Sequence, residues 1–168
     1  RYITHMVSLG KGEYTDPKYK DNFTFDGIFF GAGTRNSIAH GNGDVIPVYF
    51  SELPIWMRRG ILNFDVCLVM VSPPDQWGYC NLGVESGYTF QAMRSAKTVI
   101  AQVNSNMPFA YGDTHIHVSQ LDAIVEMDMP LMESHPPQVG DVEMAIGEYC
   151  ASLIEDGSTL QLGIGAIP

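Results

Sequence analysis

The fold is decided by two stretches, Val66-Cys-Leu-Val-Met-Val71 and Thr98-Val-Ile-Ala-Gln-Val103. Each is a short, largely apolar run that lacks the strict alternation of polar and apolar residues found in a half-exposed strand. Such runs are typical of strands covered on both faces, as in parallel sheets. The segments between the strand candidates are long enough for crossover helices. The sequence therefore predicts an α/β fold, a mostly parallel open sheet with helices on both faces, in which these two strands are central.

Five further strands and three helices complete the predicted pattern. The other strands are expected at Tyr2–Leu9, Gly27–Phe30, Val45–Phe50, Ala123–Glu126 and Thr159–Leu162. The first helix is expected between a cap at Ser51 and a stop at Gly60, and the second over Tyr88–Lys97. The third is expected to begin at a cap, Asp141, because apolar residues then recur at the spacing of one helix face until Gly157.

A proline-rich connector over residues 131–140 suggests where the chain divides. We expect an N-terminal α/β domain over residues 1–130 that is incomplete at its start. Residues 141–168 would then form the opening helix, strand and loop of a second, similar domain that is truncated.

Composition excludes several classes of function. The 168 residues are 45% hydrophobic and 17% charged, which favours a folded domain over a disordered chain. A net charge of −10 disfavours nucleic acid and anionic membranes as partners. No apolar run reaches the roughly 18 residues that a membrane-spanning helix needs. Three cysteines without CxxC spacing indicate reduced thiols in a cytoplasmic protein.

The C-terminal stretch Gln161-Leu-Gly-Ile-Gly-Ala-Ile-Pro168 follows an expected strand and ends on a proline suited to a first helical turn. Glycines there let the backbone approach a ligand closely, and a helix N-terminus presents free N–H groups to an anion or an oxyanion. Glycine pairs also follow strands for packing alone, so the pattern by itself leaves a purely structural role open.

Other polar motifs have simpler interpretations. His115 and His117 could share one strand face with Asp113 nearby, but no third ligand has suitable spacing, so no metal site is predicted. The segment 31–35 lacks the third glycine of a dinucleotide-binding loop. It therefore predicts a tight turn. The isolated carboxylates of Glu85, Glu126 and Glu133 are interpreted as solvated or capping groups.

Four parts of the chain carry a resemblance to a known family. They are Met6–Tyr14, Val71–Asp75 together with Gly78–Cys80, Val99–Asn104 and Ser152–Pro168. In order and over nearly the whole chain, they resemble the acetyl-CoA hydrolase/transferase family, closest to its 4-hydroxybutyrate and butyryl-CoA:acetate CoA-transferases. Members of that family are much longer than 168 residues, so the chain resembles the N-terminal half of such an enzyme.

The resemblance implies a CoA-transferase that moves CoA between a short-chain acyl-CoA and a small carboxylic acid of the acetate, butyrate or 4-hydroxybutyrate type. CoA would be a substrate, with no permanently bound cofactor. The reaction passes through a glutamyl-CoA thioester, and the glutamate is expected beyond Pro168, so residues 1–168 alone should be inactive. The full-length protein is expected to be a homo-oligomer, either a dimer or a tetramer.

The resemblance also assigns residues. A CoA-binding and oxyanion loop is expected from Gly163, Ile164, Gly165, Ala166 and Ile167, with Gln161 as an additional donor. A wall of the acyl pocket is expected from Ser72, Pro73, Pro74, Asp75 and Trp77, although the same segment could be an ordinary proline-stiffened crossover loop. Two other readings stay open, namely acyl-CoA hydrolysis on the same scaffold and a non-catalytic CoA-binding fragment or remnant.

Overall fold

The computed structural model describes residues 1–7, 10–133, 138–163, 165 and 167, in two compact units, Arg1–Leu131 and Met132–Pro168. The strands of the first unit are β1 Tyr2–Ile3, β2 Thr24–Gly27, β3 Gly43–Val45, β4 Val66–Val71, β5 Tyr79–Asn81, β6 Thr98–Val103, β7 His115–His117 and β8 Ala123–Glu126. Its helices are α1 Leu53–Arg58 and α2 Thr89–Ser95. The predicted class, mostly parallel sheets with helices, is confirmed.

A three-stranded parallel sheet has the order β4-β6-β8. Val66 pairs with Thr98 and Val71 with Val103, while Ile100 pairs with Ala123. The central position predicted for Thr98–Val103 is confirmed. The central position predicted for Val66–Val71 is wrong, because β4 is an outer strand of this sheet.

The prediction was wrong because the burial of the β4 side chains alternates along the strand. Val69 and Val71 are buried, whereas Val66 and Leu68 on the opposite face are exposed, Leu68 by 75%. Val125 of β8 shares that outer face and is 51% exposed. In the part of the chain that the structure describes, helices therefore pack on the face of this sheet that carries Val69 and Val71, which we call the inner face. An apolar run does not by itself show whether both of its faces are covered.

The inner face forms the main core with an antiparallel pair, β5 and β7, that the sequence did not predict. Tyr79 pairs with His117 and Asn81 with His115. Buried residues of the sheet, α2 and this pair make one cluster: Val69, Val71, Cys80, Leu82, Met93, Val99, Ala101 and Ile116. β5 was missed because its three residues lie in a segment rich in proline and glycine, which masks a strand signal.

A second parallel sheet, β1-β2-β3, has shorter strands. The predicted strands Gly27–Phe30 and Val45–Phe50 are displaced, since β2 ends at Gly27 and β3 at Val45. Pairing here joins Asp26 to Asp44, and most of the apolar residues that predicted these two strands follow the observed strands. Of the predicted strand Tyr2–Leu9, only Tyr2–Ile3 is a strand, and residues 8 and 9 lie outside the described residues.

Loops beyond these strands are joined by close backbone contacts. Gly12 has φ +65°, and a Cβ there would lie 2.4 Å from the Gly33 carbonyl oxygen. The Asn42 side-chain amide donates to the Thr15 carbonyl at 2.7 Å. Glycine is required at position 12 both by the left-handed backbone and by the space available.

The second unit contains α3, Asp141–Ala151. Its N-cap is Gly140 and not the predicted Asp141, because the Glu143 carboxylate accepts from the Gly140 N–H at 3.1 Å. The predicted strand Thr159–Leu162 is absent, and the described residues of this unit contain no other strand with which it could pair. The domain ranges 1–130, 131–140 and 141–168 stay a prediction. None of the described helices has the length and apolar character needed to cross a membrane.

Candidate functional site

A cleft in the first unit is the best candidate for a ligand site. It has a volume of about 270 Å³ and is lined by Met6, Val7, Phe50, Val84, Glu85, Ser86, Gly87 and Tyr88. Met6 and Val7 come after the carboxyl end of β1, and residues 84–88 lead into α2. Ligands of open parallel sheets bind beyond the carboxyl ends of strands, which is where this cleft begins.

Tyr88 connects the two sides of the cleft. Its hydroxyl oxygen accepts from the Met6 backbone N–H at 3.1 Å, and its ring meets the Phe50 ring edge-on with centroids 6.1 Å apart. Burial, reinforced by the nearby Glu85 carboxylate, raises the pKa of the Tyr88 phenol. The phenol therefore keeps its proton at neutral pH and can donate it to a ligand.

Glu85 is the charged side chain among the described residues that line the cleft. Its Oε1 accepts from the Thr89 hydroxyl at 3.1 Å. The remaining walls are apolar or neutral, so the cleft suits a short apolar chain with a polar group at one point. Glu85 was predicted to be only a solvated or capping carboxylate, because no local pattern indicates that residues 6, 50 and 85 meet.

The predicted pocket wall is placed elsewhere, in the turn between β4 and β5. The Asp75 carboxylate accepts from the backbone N–H groups of Trp77 at 2.9 Å and Tyr79 at 2.8 Å. The Ser72 hydroxyl accepts from the Asn81 N–H at 3.0 Å. The Trp77 side chain is 69% exposed. Pro73 and Pro74 lie between these contacts, and none of the five predicted residues lines the cleft.

The contacts of this turn explain its composition. Asp75 closes a tight turn at Gly78, whose φ is +86°, and the turn aligns β5 with β7. The structure thus gives the segment a clear architectural role. Its role as a wall of the acyl pocket stays a prediction.

The predicted glycine loop lies in the second unit. Gln161, Gly163, Gly165 and Ile167 are exposed, while Ile164 and Ala166 lie outside the described residues. The segment before the loop is not a strand, so the strand–turn–helix arrangement expected there is not formed in the described residues. The assignment of this loop to CoA and oxyanion binding stays a prediction.

The two histidines of β7 have local partners. His117 Nδ1 lies 2.7 Å from the Ser119 hydroxyl, and His115 Nδ1 lies 3.1 Å from the Gly112 carbonyl oxygen. Within the described ranges, no group of three or more His, Cys, Asp or Glu side chains is arranged to hold a metal ion.

Residues 2–133 match the N-terminal domain of the acetyl-CoA hydrolase/transferase family. The chain belongs to this family. The resemblance found in the sequence motifs is thereby confirmed, and the matched range covers all of the residues that line the cleft.

Relatives within the acetyl-CoA hydrolase/transferase family include named CoA transferases. The chain is 54% identical over 166 residues to the 4-hydroxybutyrate coenzyme A transferase of Clostridium kluyveri, covering 99% of the chain and 39% of that enzyme. It is 38% identical over 167 residues to the succinyl-CoA:acetate/propanoyl-CoA:succinate CoA transferase of Fasciola hepatica, covering 99% of the chain and 34% of that enzyme. The chain thus spans less than half the length of either relative.

Solved structures of similar proteins agree with the fold. RipA from Yersinia pestis superposes with a TM-score of 0.88 at 28% identity, covering 99% of this chain and 41% of that one. A 4-hydroxybutyrate CoA-transferase from Porphyromonas gingivalis superposes with a TM-score of 0.74 at 34% identity, covering 99% and 44%.

Proposed function

We propose that this chain is part of a CoA-transferase that moves CoA between a short-chain acyl-CoA and a carboxylate of the acetate, butyrate or 4-hydroxybutyrate type. The observation that carries the proposal is 54% identity to an enzyme named as such over 99% of the chain. The cleft supports it, because a small and mostly neutral cavity suits a short acyl chain.

In the proposed reaction, a glutamate outside residues 1–168 attacks the thioester carbonyl. A mixed acyl–glutamyl anhydride forms, and CoA leaves as its thiolate. The thiolate then attacks the glutamyl carbonyl, which gives a glutamyl-CoA thioester and releases the first acid. The acceptor carboxylate attacks that thioester and frees the thiolate again, and the thiolate takes the acyl group from the new anhydride and regenerates the glutamate.

Each of these steps passes through a tetrahedral oxyanion. We assign its stabilisation to backbone N–H groups of the segment from Gly163 to Ile167, with the Gln161 side chain as a further donor. One preorganised donor in such a site contributes about 3 kcal/mol to the transition state. We also propose that residues 72–77, in the turn after β4, form a wall of the acyl pocket.

The test is a substitution of Gly165 in the intact protein. Gly165→Val adds a branched side chain beside the expected thioester and should lower kcat/KM by about 10²-fold or more, as the loss of an oxyanion donor does. The measurement is CoA transfer from butyryl-CoA to acetate, with a parallel reaction lacking acetate that reports hydrolysis. Thermal unfolding of both proteins checks that the variant folds.

His117→Ala provides the control for this experiment. His117 contacts Ser119 and Tyr79 away from the cleft, so activity should stay within a few-fold and should not respond to a chelator. Normal kinetics of Gly165→Val, combined with loss of activity in His117→Ala or with chelator, would contradict the loop assignment and favour a metal at the histidines.

We further propose that the full-length protein is a cytoplasmic homo-oligomer, a dimer or a tetramer, that binds CoA only as substrate. A reducing compartment is supported by its cysteines, since Cys67, Cys80 and Cys150 are all free thiols. Burial raises the pKa of the Cys67 and Cys80 thiols, which keeps them protonated and unreactive. Light scattering of the full-length protein measures the oligomeric state.

A further inference from the structure

Among the described residues that line the cleft, none is a cation that could compensate the charge of Glu85. Its Oε1 is engaged by the Thr89 hydroxyl, and in the described part of the chain its Oε2 has no hydrogen-bond partner and no ion pair. The lining residues that the structure describes include no lysine or arginine. A ligand that reaches Glu85 therefore meets a negative charge with an open acceptor.

Tyr88 lines the same cleft and offers its hydroxyl as a donor. Because its oxygen already accepts from the Met6 N–H, its own proton is available to a ligand. Glu85 and Tyr88 both line this cleft and lie three positions apart in the chain, so one ligand can meet both groups. A ligand hydroxyl could donate to Glu85 and accept from Tyr88.

The remaining walls limit the length and shape of the ligand. Met6, Val7, Phe50 and Val84 are apolar, and the volume of about 270 Å³ lies just below the range of about 300 to 1,000 Å³ for pockets that hold drug-sized ligands. A short unbranched acyl chain fits this description.

We infer that Glu85 selects the acyl group by the charge of its far end, admitting chains with a neutral end, favouring a terminal hydroxyl, and excluding dicarboxylic chains. This inference rests on the proposed CoA-transferase function and names its substrate class. A second carboxylate in the cleft faces Glu85 with no cation between them. Like charges a few ångströms apart in a partly solvated site disfavour binding by about tenfold.

The relatives show why such a determinant matters. One is named for 4-hydroxybutyrate and another for succinyl-CoA and succinate. Those acyl groups differ mainly in whether the far end carries a hydroxyl or a carboxylate. A single charged side chain that meets the far end of the acyl group, such as Glu85, would distinguish these two groups.

The experiment measures kcat/KM of the intact enzyme with acetyl-CoA as donor and three acceptors, namely 4-hydroxybutyrate, butyrate and succinate. In the unsubstituted enzyme, succinate should be the poorest acceptor. Glu85→Gln keeps the size of the side chain and its bond to Thr89 while removing the charge. It should raise kcat/KM for succinate about tenfold, lower that for 4-hydroxybutyrate a few-fold and leave that for butyrate within about twofold.

Two controls separate charge from shape. Glu126→Gln removes an exposed carboxylate on β8, outside the cleft, and should leave all three values unchanged. Raising the salt concentration from about 0.05 to 0.5 M should weaken the discrimination against succinate in the unsubstituted enzyme, because the exposed charge of Glu85 is screened. The same change in salt should have little effect on that ratio in Glu85→Gln.

Three outcomes would overturn the inference and leave the proposed function intact. They are equal use of succinate and butyrate by the unsubstituted enzyme, an unchanged ratio in Glu85→Gln, and loss of butyrate activity in folded Glu85→Gln. Absence of CoA transfer to any acid in the unsubstituted full-length protein would instead refute the proposed function.

Discussion

The two parallel sheets of the first unit are stabilised in different ways. β4-β6-β8 packs its inner face against α2 and the β5–β7 pair through buried aliphatic side chains. β1-β2-β3 has strands of two to four residues, and its loops meet through backbone contacts at Gly12 and Gly33. Buried polar residues, among them Thr15, Thr34 and Asn42, lie there in place of a large aliphatic core.

Two sheets of the same parallel topology are thus stabilised by different interactions. In the β4-β6-β8 sheet the stabilising term is the removal of apolar surface from water, which scales with side-chain size. In the β1-β2-β3 sheet the large side chain removed from water is aromatic, Phe25, and the fit of backbone against backbone and hydrogen bonds such as that from Asn42 to Thr15 add to its burial. Substitutions that remove aliphatic volume should thus act mainly on the β4-β6-β8 sheet, and those that probe backbone space mainly on the β1-β2-β3 sheet.

The largest effect is expected in the aliphatic core. Leu82 is 0% exposed in the main cluster, so Leu82→Ala should lower the free energy of unfolding of the intact protein by about 4 kcal/mol. Leu68→Ala makes the same change on the exposed face of β4 and should cost at most about 0.5 kcal/mol. Denaturant unfolding measures both, and similar losses would show that the outer face is covered.

A smaller effect is expected at the backbone contact. Gly12→Ala places a Cβ 2.4 Å from the Gly33 carbonyl oxygen, which should cost about 2 to 3 kcal/mol. Gly41 has a similar φ of +73° with nothing within 4 Å of its Cβ, so Gly41→Ala should cost only about 1 kcal/mol of backbone strain. Equal losses in the two variants would show that the contact contributes nothing beyond the φ value.

The smallest effect concerns His5, which bonds to the Tyr14 hydroxyl and stacks 4.7 Å from the Phe25 ring. Burial lowers the pKa of His5, so the folded protein binds fewer protons than the unfolded chain just below pH 6.5. Its contribution to stability is therefore complete above about pH 6.5 and declines as the pH falls through the interval between the unfolded and the folded pKa.

Unfolding measured between about pH 5 and 7 should show this dependence, and His5→Gln should flatten it. His40→Gln replaces an exposed histidine of the same sheet region and should leave the slope as it was. A slope shared by all three proteins would assign the pH dependence to other groups.

The strands of the β4-β6-β8 sheet could be predicted from the sequence more accurately than those of the β1-β2-β3 sheet. The bounds of β4, β6 and β8 agree with the predicted strands, because aliphatic runs of that length have few alternatives. β2 and β3 were misplaced because their pairing depends on Asp26, Asp44 and the glycines beside them. Hydrophobicity carries no information about a contact between two backbones.

The candidate site was predicted least well. The motifs led to the family, which is confirmed, but drew attention to the turn at Asp75 and not to the cleft. The cleft joins residue 6 to residue 88 through one hydrogen bond, a contact that no local pattern contains. Family membership could be recognised from short motifs, whereas a cavity made by distant segments required the fold.

The parallel register of β4, β6 and β8 also has a consequence for how the chain folds. β4 pairs with residues 32 positions further along the chain and β6 with residues 23 positions further along, so a long loop must close before the hydrogen bonds of either pair form. During synthesis, Val66–Val71 leaves the ribosome well before Thr98–Val103 and has no partner in this sheet until then. For that interval an unpaired apolar strand is exposed, which favours aggregation until its partner strand has been made.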